Sequence, residues 1–275
     1  MAKNLKSTQK KRFWEDLTTL DFSKADAESF LAIMPIAAIE QHGPHLPVGV
    51  DSKIIEALVK IISEKLSEQS NAIFLPTFKV GKSNEHLRFP GTLSLSTETL
   101  YSSLLDIGEC LSSTGIRKLA FLNSHGGNIS LLDVAARELR IRHQMLIFNL
   151  NWFGFGMPPN LYSDEELKFG IHAGDLETSV MLAVDPENVQ MEKAKNFIPK
   201  TVKIDEEFQH IGLGSAVKFG WQTQDLNKFG ACGNAKKATK EKGESTVEYA
   251  CAKIVEAIGE IEKMSPEFLS NQTEY

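Results

Sequence analysis

The sequence predicts a three-layer α/β domain in which a mainly parallel sheet lies between helices on both faces. Three observations predict it. Four short apolar runs alternate with three longer stretches whose apolar residues recur at helical spacing, the order that builds parallel βαβ units. The 275 residues are 42% apolar and 24% charged, a composition that fills a large core. No repeat or linker interrupts them. The expected layout is a single domain over residues 14–264, with a solvated tail at 1–13 and a second tail at 265–275.

Each element follows from its own pattern. Residues 31–39 are apolar and bounded by polar positions, which suits a strand buried on both faces. In 51–68, Ile54, Ile55, Leu58, Ile62 and Leu66 fall on one helical stripe. A strand at 72–75 precedes a helix at 97–112, where Leu100, Leu104, Ile107 and Leu111 step by four, three and four. A strand at 118–122, a helix at 130–143 and a strand at 145–150 extend the series. Residues 151–171, with Trp152, Pro158 and Pro159, break the pattern and read as a long surface loop of the kind that often carries function. Residues 199–243 are irregular and rich in Gly, Lys and Asn, and a last helix is expected at 244–263.

Charge and cysteine usage exclude several classes. Thirty basic against 36 acidic residues leave a net charge of −6, the wrong sign for a general nucleic-acid binder. Three cysteines without a CxxC pair suggest neither a disulfide framework nor a cysteine zinc site, so a reducing cytoplasm is expected. The longest nearly apolar stretch, 30–39, contains Pro35 and is about half of the roughly 20 residues a bilayer span needs. No membrane association is expected.

Chemistry concentrates in three places. Glu40-Gln-His42-Gly-Pro-His45-Leu-Pro-Val-Gly-Val-Asp51 follows the first strand, and in a parallel sheet the loops leaving the carboxyl ends of strands line the ligand crevice. Asn123-Ser-His125-Gly-Gly-Asn128 leaves the third strand in the same way, and His172-Ala-Gly-Asp175-Leu-Glu177 precedes a helix. Glu40, His42, Asp51, His125 and Glu177 supply two imidazoles and three carboxylates, a set that suits Zn²⁺, Mn²⁺ or Fe²⁺. Two such ions about 3.5–4 Å apart acidify a shared water to hydroxide and polarise a carbonyl. Plainer readings stay open: Asp51 as a helix N-cap, Glu177 as a first-turn charge complementing the helix dipole, and His45 as a structural residue. His143 and His210 read as surface residues. Ser83, Glu85, His86 and Phe89 follow the second strand and would shape a substrate pocket, or form a turn pinned by Pro90-Gly91. Trp152, Phe153 and Trp221 would wall a pocket or cap the core.

The segments IEQHGPHLPVGVD, GKSNEHLRFPGTLSL, NSHGGN and HAGDLETS, with the later GACGNAKKATKEKGE, resemble in order the creatininase family of metal-dependent hydrolases. The resemblance runs from about Trp14 to Ile258. It implies an α/β fold, two divalent metal ions and homo-oligomers, commonly hexamers. By position it implies that Glu40 and His42 serve separate ions, that Asp51 bridges them, that His125 joins Glu40, and that His172 handles the proton. Creatinine-cleaving members carry a glutamate ligand where this chain has Gly127, so Glu177 would complete the second site. They also carry aromatic residues where this chain has Gly126 and Lys168, which argues against creatinine as substrate. The expected reaction is hydrolysis of a C–N bond in a small cyclic amide or formamide by a metal-bridging hydroxide. Ring opening of a cyclic keto-sugar or lactone, or a catalytically silent metal-binding scaffold, are the alternatives.

Overall fold

The computed structural model describes residues 10–275, so the first nine residues of the tail expected at 1–13 lie outside the described residues. Strands β1 (Leu31–Ile36), β2 (Ala72–Phe74), β3 (Lys118–Asn123) and β4 (Leu146–Asn151) form a parallel sheet in the order β2-β1-β3-β4. Side chains alternate between its faces, as a pleated strand requires. Leu31 and Ile33 point to one side, where they meet Ile54, Leu58 and Ile62 of α2 (Val50–Lys65) and Ile254 and Ile258 of a long C-terminal helix. Ala32, Met34 and Ile36 point to the other, against Leu100 and Leu104 of a helix at Thr97–Ser113 and Leu132 and Leu139 of one at Ile129–His143. The sheet therefore separates two apolar cores, which makes the predicted three layers.

With α1 (Thr19–Lys24) preceding the sheet, the helices after α2 are α3 (Thr97–Ser113), α4 (Ile129–His143), α5 (Asp164–Phe169), α6 (Asp175–Val184), α7 (Thr201–Glu207), α8 (Thr223–Leu226) and α9 (Lys240–Lys263). Three differences from the sequence expectation have local causes. The expected loop at 151–171 contains α5, which Ser163 caps by accepting from the Glu166 amide at 3.3 Å. The irregular 199–243 region contains α7, α8 and the strand β6 (Gly233–Asn234), which pairs antiparallel with β5 (Asn196–Phe197) just before the region. α9 starts at Lys240 rather than 244, because Thr239 caps the Lys242 amide at 3.3 Å.

Residues 10–13, expected within the tail, grip the sheet edge. Arg12 donates to the carbonyls of Ser70 at 2.7 Å and Ser67 at 2.6 Å, and Phe13 bridges to Phe74. Cys110, Cys232 and Cys251 are free thiols. Among the described residues no helix is long and apolar enough to cross a membrane.

Candidate metal centre

Two adjacent strand ends and two helix starts converge on one buried point. The chain leaving β1 carries Glu40 and His42, the chain leaving β3 carries His125, Asp51 is the second residue of α2, and Glu177 lies in the first turn of α6. Asp51 makes no cap: the N-cap of α2 is Gly49, with no side-chain bond, and the Asp51 carboxylate turns inward at 2% exposure.

The imidazoles are steered by peptide carbonyls, which can only accept hydrogen bonds. His42 Nδ1–H donates to the Glu40 carbonyl at 3.0 Å, leaving the Nε2 lone pair facing Glu40 and Asp51 at 4.0 Å and Glu177 at 3.9 Å. His125 Nε2–H donates to the Lys82 carbonyl at 3.0 Å, so Nδ1 faces Glu40 at 3.2 Å and Asp51 at 3.7 Å. His172 Nε2–H donates to the Gln41 carbonyl at 2.7 Å and turns Nδ1 toward Glu40 at 3.7 Å. A bare lone pair aimed at a carboxylate is repulsive unless a cation or a proton lies between them.

The spacings suit a metal. Zinc bonds of about 2.0–2.2 Å to nitrogen or oxygen place two ligand atoms of one ion roughly 3–4 Å apart. Glu40, Asp51 and His125 each offer an atom within 4.8 Å of the others, as do His42, His172 and Glu177, and Glu40, His86 and His172. Of the six buried side-chain polar atoms lacking a hydrogen-bond partner among the described residues, Glu40 Oε2, His42 Nε2 and Asp51 Oδ2 all sit here. Buried polar atoms in native proteins are nearly always partnered, so this vacancy in the hydrogen bonding fits a bound cation.

The ionisation pattern agrees. Burial pushes the Asp51 carboxyl well above the usual range, and the Glu40 charge adds to the effect. Burial also raises Glu177. Burial alone would raise Glu40, but His125, His86 and His172 outweigh it and hold the carboxyl well below. His125 mirrors this: burial opposes its charge, yet Glu40, Glu85 and Asp51 lift it well above the usual imidazole value. Burial, helped by His172, pushes His42 well below. Burial thus favours the protonated forms of Asp51 and Glu177, and a metal bound beside them would displace those protons.

The surrounding residues brace this point. Gln41 donates to the Gly230 carbonyl at 2.7 Å and to His86 Nδ1 at 2.8 Å, and Thr223 Oγ1 lies 3.1 Å from the same nitrogen. His86 thereby presents Nε2 to Glu40 at 3.5 Å. Burial, with His172 alongside, pushes His86 down to about 4. Ala173 holds φ at 53°, a left-handed conformation costing about 1–2 kcal/mol, and its amide donates to the Glu177 carboxylate. Ser83, expected to meet substrate, is fully buried behind His125, with Oγ 3.3 Å from Nε2. Glu85 lies 3.5 Å from that nitrogen and lines the adjoining cavity, as does His86. His45 stays apart, bonded to Thr178 Oγ1 at 2.9 Å and stacked on Phe197. Gly127 is required by this packing: a Cβ there would stand 2.4 Å from both Glu85 Oε1 and His125 Nε2.

Gln41, Thr223 and the Lys82 carbonyl were not singled out in the sequence. Gln41 sits inside the Glu40–His42 motif, which could have drawn attention to it. Thr223 and the carbonyl carry no local signal.

The creatininase model, described as creatinine amidohydrolase, matches residues 15–258. The chain belongs to the creatininase family. It is 29% identical over 265 residues to the creatinine amidohydrolase of Pseudomonas putida, covering 90% of this chain and 96% of that one. To the mycofactocin precursor peptide peptidase of Mycobacterium tuberculosis it is 31% identical over 184 residues, covering 65% and 68%. A mutant creatininase complexed with creatine superposes with a TM-score of 0.74 at 28% identity, covering 93% of this chain and 100% of that chain. The parallel sheet flanked by helices is thus the creatininase fold, and the buried cluster has the ligand types and spacing to hold a divalent metal.

Proposed function

We propose that the protein hydrolyses a C–N bond of a small cyclic amide or formamide at a centre of two divalent ions, Zn, Mn or Fe. The observation that carries this reading is the pair of carbonyl-steered imidazoles, His42 and His125, whose free nitrogens face Glu40, Asp51 and Glu177 in a dry pocket. Glu40, Asp51 and His125 would hold one ion, and His42, Asp51 and Glu177 the other. Solved creatininases described as a Mn form and a Zn–Zn form support both the metal type and the count. Ions bound there supply an acidified water and polarise the substrate carbonyl.

The chain's own residues do the rest. His172, whose Nε2–H is occupied by the Gln41 carbonyl, has Nδ1 free to carry a proton to the leaving nitrogen. Glu177 takes the ligand position that Gly127 leaves without a side chain. His86 and Glu85 line the approach.

Relatives do not agree on a substrate. At 26% identity the chain also resembles a 3-dehydro-scyllo-inosose hydrolase of Thermotoga maritima and a formylaminopyrimidine nucleotide deformylase of Methanocaldococcus infernus. A sugar's hydroxyls would meet mostly apolar walls in this cavity, which favours the amide reading. The test is reconstitution of metal-stripped protein with Zn²⁺, Mn²⁺ or Fe²⁺, followed by a panel of cyclic amides and formamides with mass detection. Activity lost on chelation and restored by metal is expected. A chelated protein that loses its assembly, with no hydrolysis before or after, would mark a silent scaffold instead.

A further inference from the structure

The cavity above the centre has about 700 Å³ of space, inside the range of roughly 300–1,000 Å³ that takes drug-sized ligands. A lone five-membered ring would leave most of it empty. The walls are apolar and largely aromatic: Trp152, Phe153, Met157, Leu213, Trp221 and Leu226. Among the described residues the lining includes no lysine and no arginine. It does include two carboxylates that hold no ion in the reading above, Glu85 and Glu166.

These two charges occupy the places where an anion would be received. Glu166 accepts from the Leu176 amide at 3.3 Å, at the start of α6, and from the Asn234 amide at 3.0 Å. The neighbouring Ala173 amide is already bound by Glu177. Helix starts with free amides attract phosphates, but here carboxylates have filled those donors. Glu85 keeps part of its carboxylate exposed, with 17% of the side chain accessible, at the cavity floor. Away from the ions, an anionic group on the substrate's arm would be desolvated beside like charge with no lysine or arginine in the lining to receive it.

Resting on the amidohydrolase reading, we propose that the substrate is an amide whose remaining arm is bulky, apolar and either neutral or cationic. Glu85 attracts an ammonium or N–H group on that arm, and phosphorylated or carboxylated amides are rejected. Phe153 and Trp221, the half-buried aromatics of the lining, supply the stacking surface.

The test compares three formanilides carrying 4-methyl, 4-aminomethyl or 4-sulfomethyl groups on the metal-reconstituted full-length protein. Sulfonate is chosen because it is a poor metal ligand. The methyl and aminomethyl compounds are expected to exceed the sulfomethyl one in kcat/KM by at least about tenfold, and Glu85→Gln should reduce the aminomethyl compound's advantage. In parallel, quenching of tryptophan fluorescence by the three corresponding anilines reads binding without turnover. If no formanilide is cleaved, the amide reading is at fault and the titration decides the selectivity. Sulfomethylaniline binding within about tenfold of methylaniline, or the same ratio in kcat/KM, overturns the proposal.

Discussion

The floor and the walls of the cavity are built on different principles. The floor residues Glu40, Asp51 and His125 sit at the ends of β1 and β3 and the start of α2, each at 5% exposure or less. Their positions follow from the sheet, which two apolar cores clamp from either side. The walls come from 152–157, 167–176 and 213–226, segments outside the sheet, and several are half-exposed, such as Leu167 at 54%. The candidate ligands thus stand on the sheet between the two cores, and most of the cavity walls stand on segments outside it.

Mutations should divide along that line. Asp51→Ala removes the carboxylate between the two ion positions, so elemental analysis should find both emptied and turnover at background. A purified variant that kept its full metal complement would show that Asp51 does not bridge. His172→Ala should slow turnover by about 10²- to 10⁴-fold while metal content stays unchanged; metal loss in step with activity would make His172 a ligand instead. Gly127→Ala forces a Cβ against His125, Glu85 and the Lys82 carbonyl. Metal affinity, read by chelator competition, should weaken by about 10- to 100-fold, and unchanged affinity would mean that the loop yields freely. Trp221→Ala touches only the wall: it should raise KM by about tenfold or less with metal binding intact, and a metal defect there would blur the division between floor and wall.

The same division explains what was legible in the sequence. The four strands and the helices packed on them were readable within a few residues, because period-2 and period-3.6 patterns record burial. Glu40, His42, Asp51, His125, His172 and Glu177 were readable because side chains of that chemistry crowd the strand ends. The short elements α5, α7, α8 and the β5–β6 pair escaped. α5 spans six residues, too few to establish a period, yet it delivers Glu166. Thr223 lies in a segment with no pattern, and it reaches His86 only because chain far apart in sequence folds back. The Lys82 carbonyl that turns His125 belongs to every residue type alike, so no sequence motif could announce it. Residues 10–13 misled in the opposite way: their basic character suggests solvent, while Arg12 is bound by the peptide oxygens of Ser67 and Ser70.

His42, His125 and His172 each donate to a main-chain oxygen. Such support is supplied by any amino acid, so it survives exchange of almost every residue around it. A lineage can therefore recarve the mouth for a new compound and carry the imidazole cradle forward unaltered.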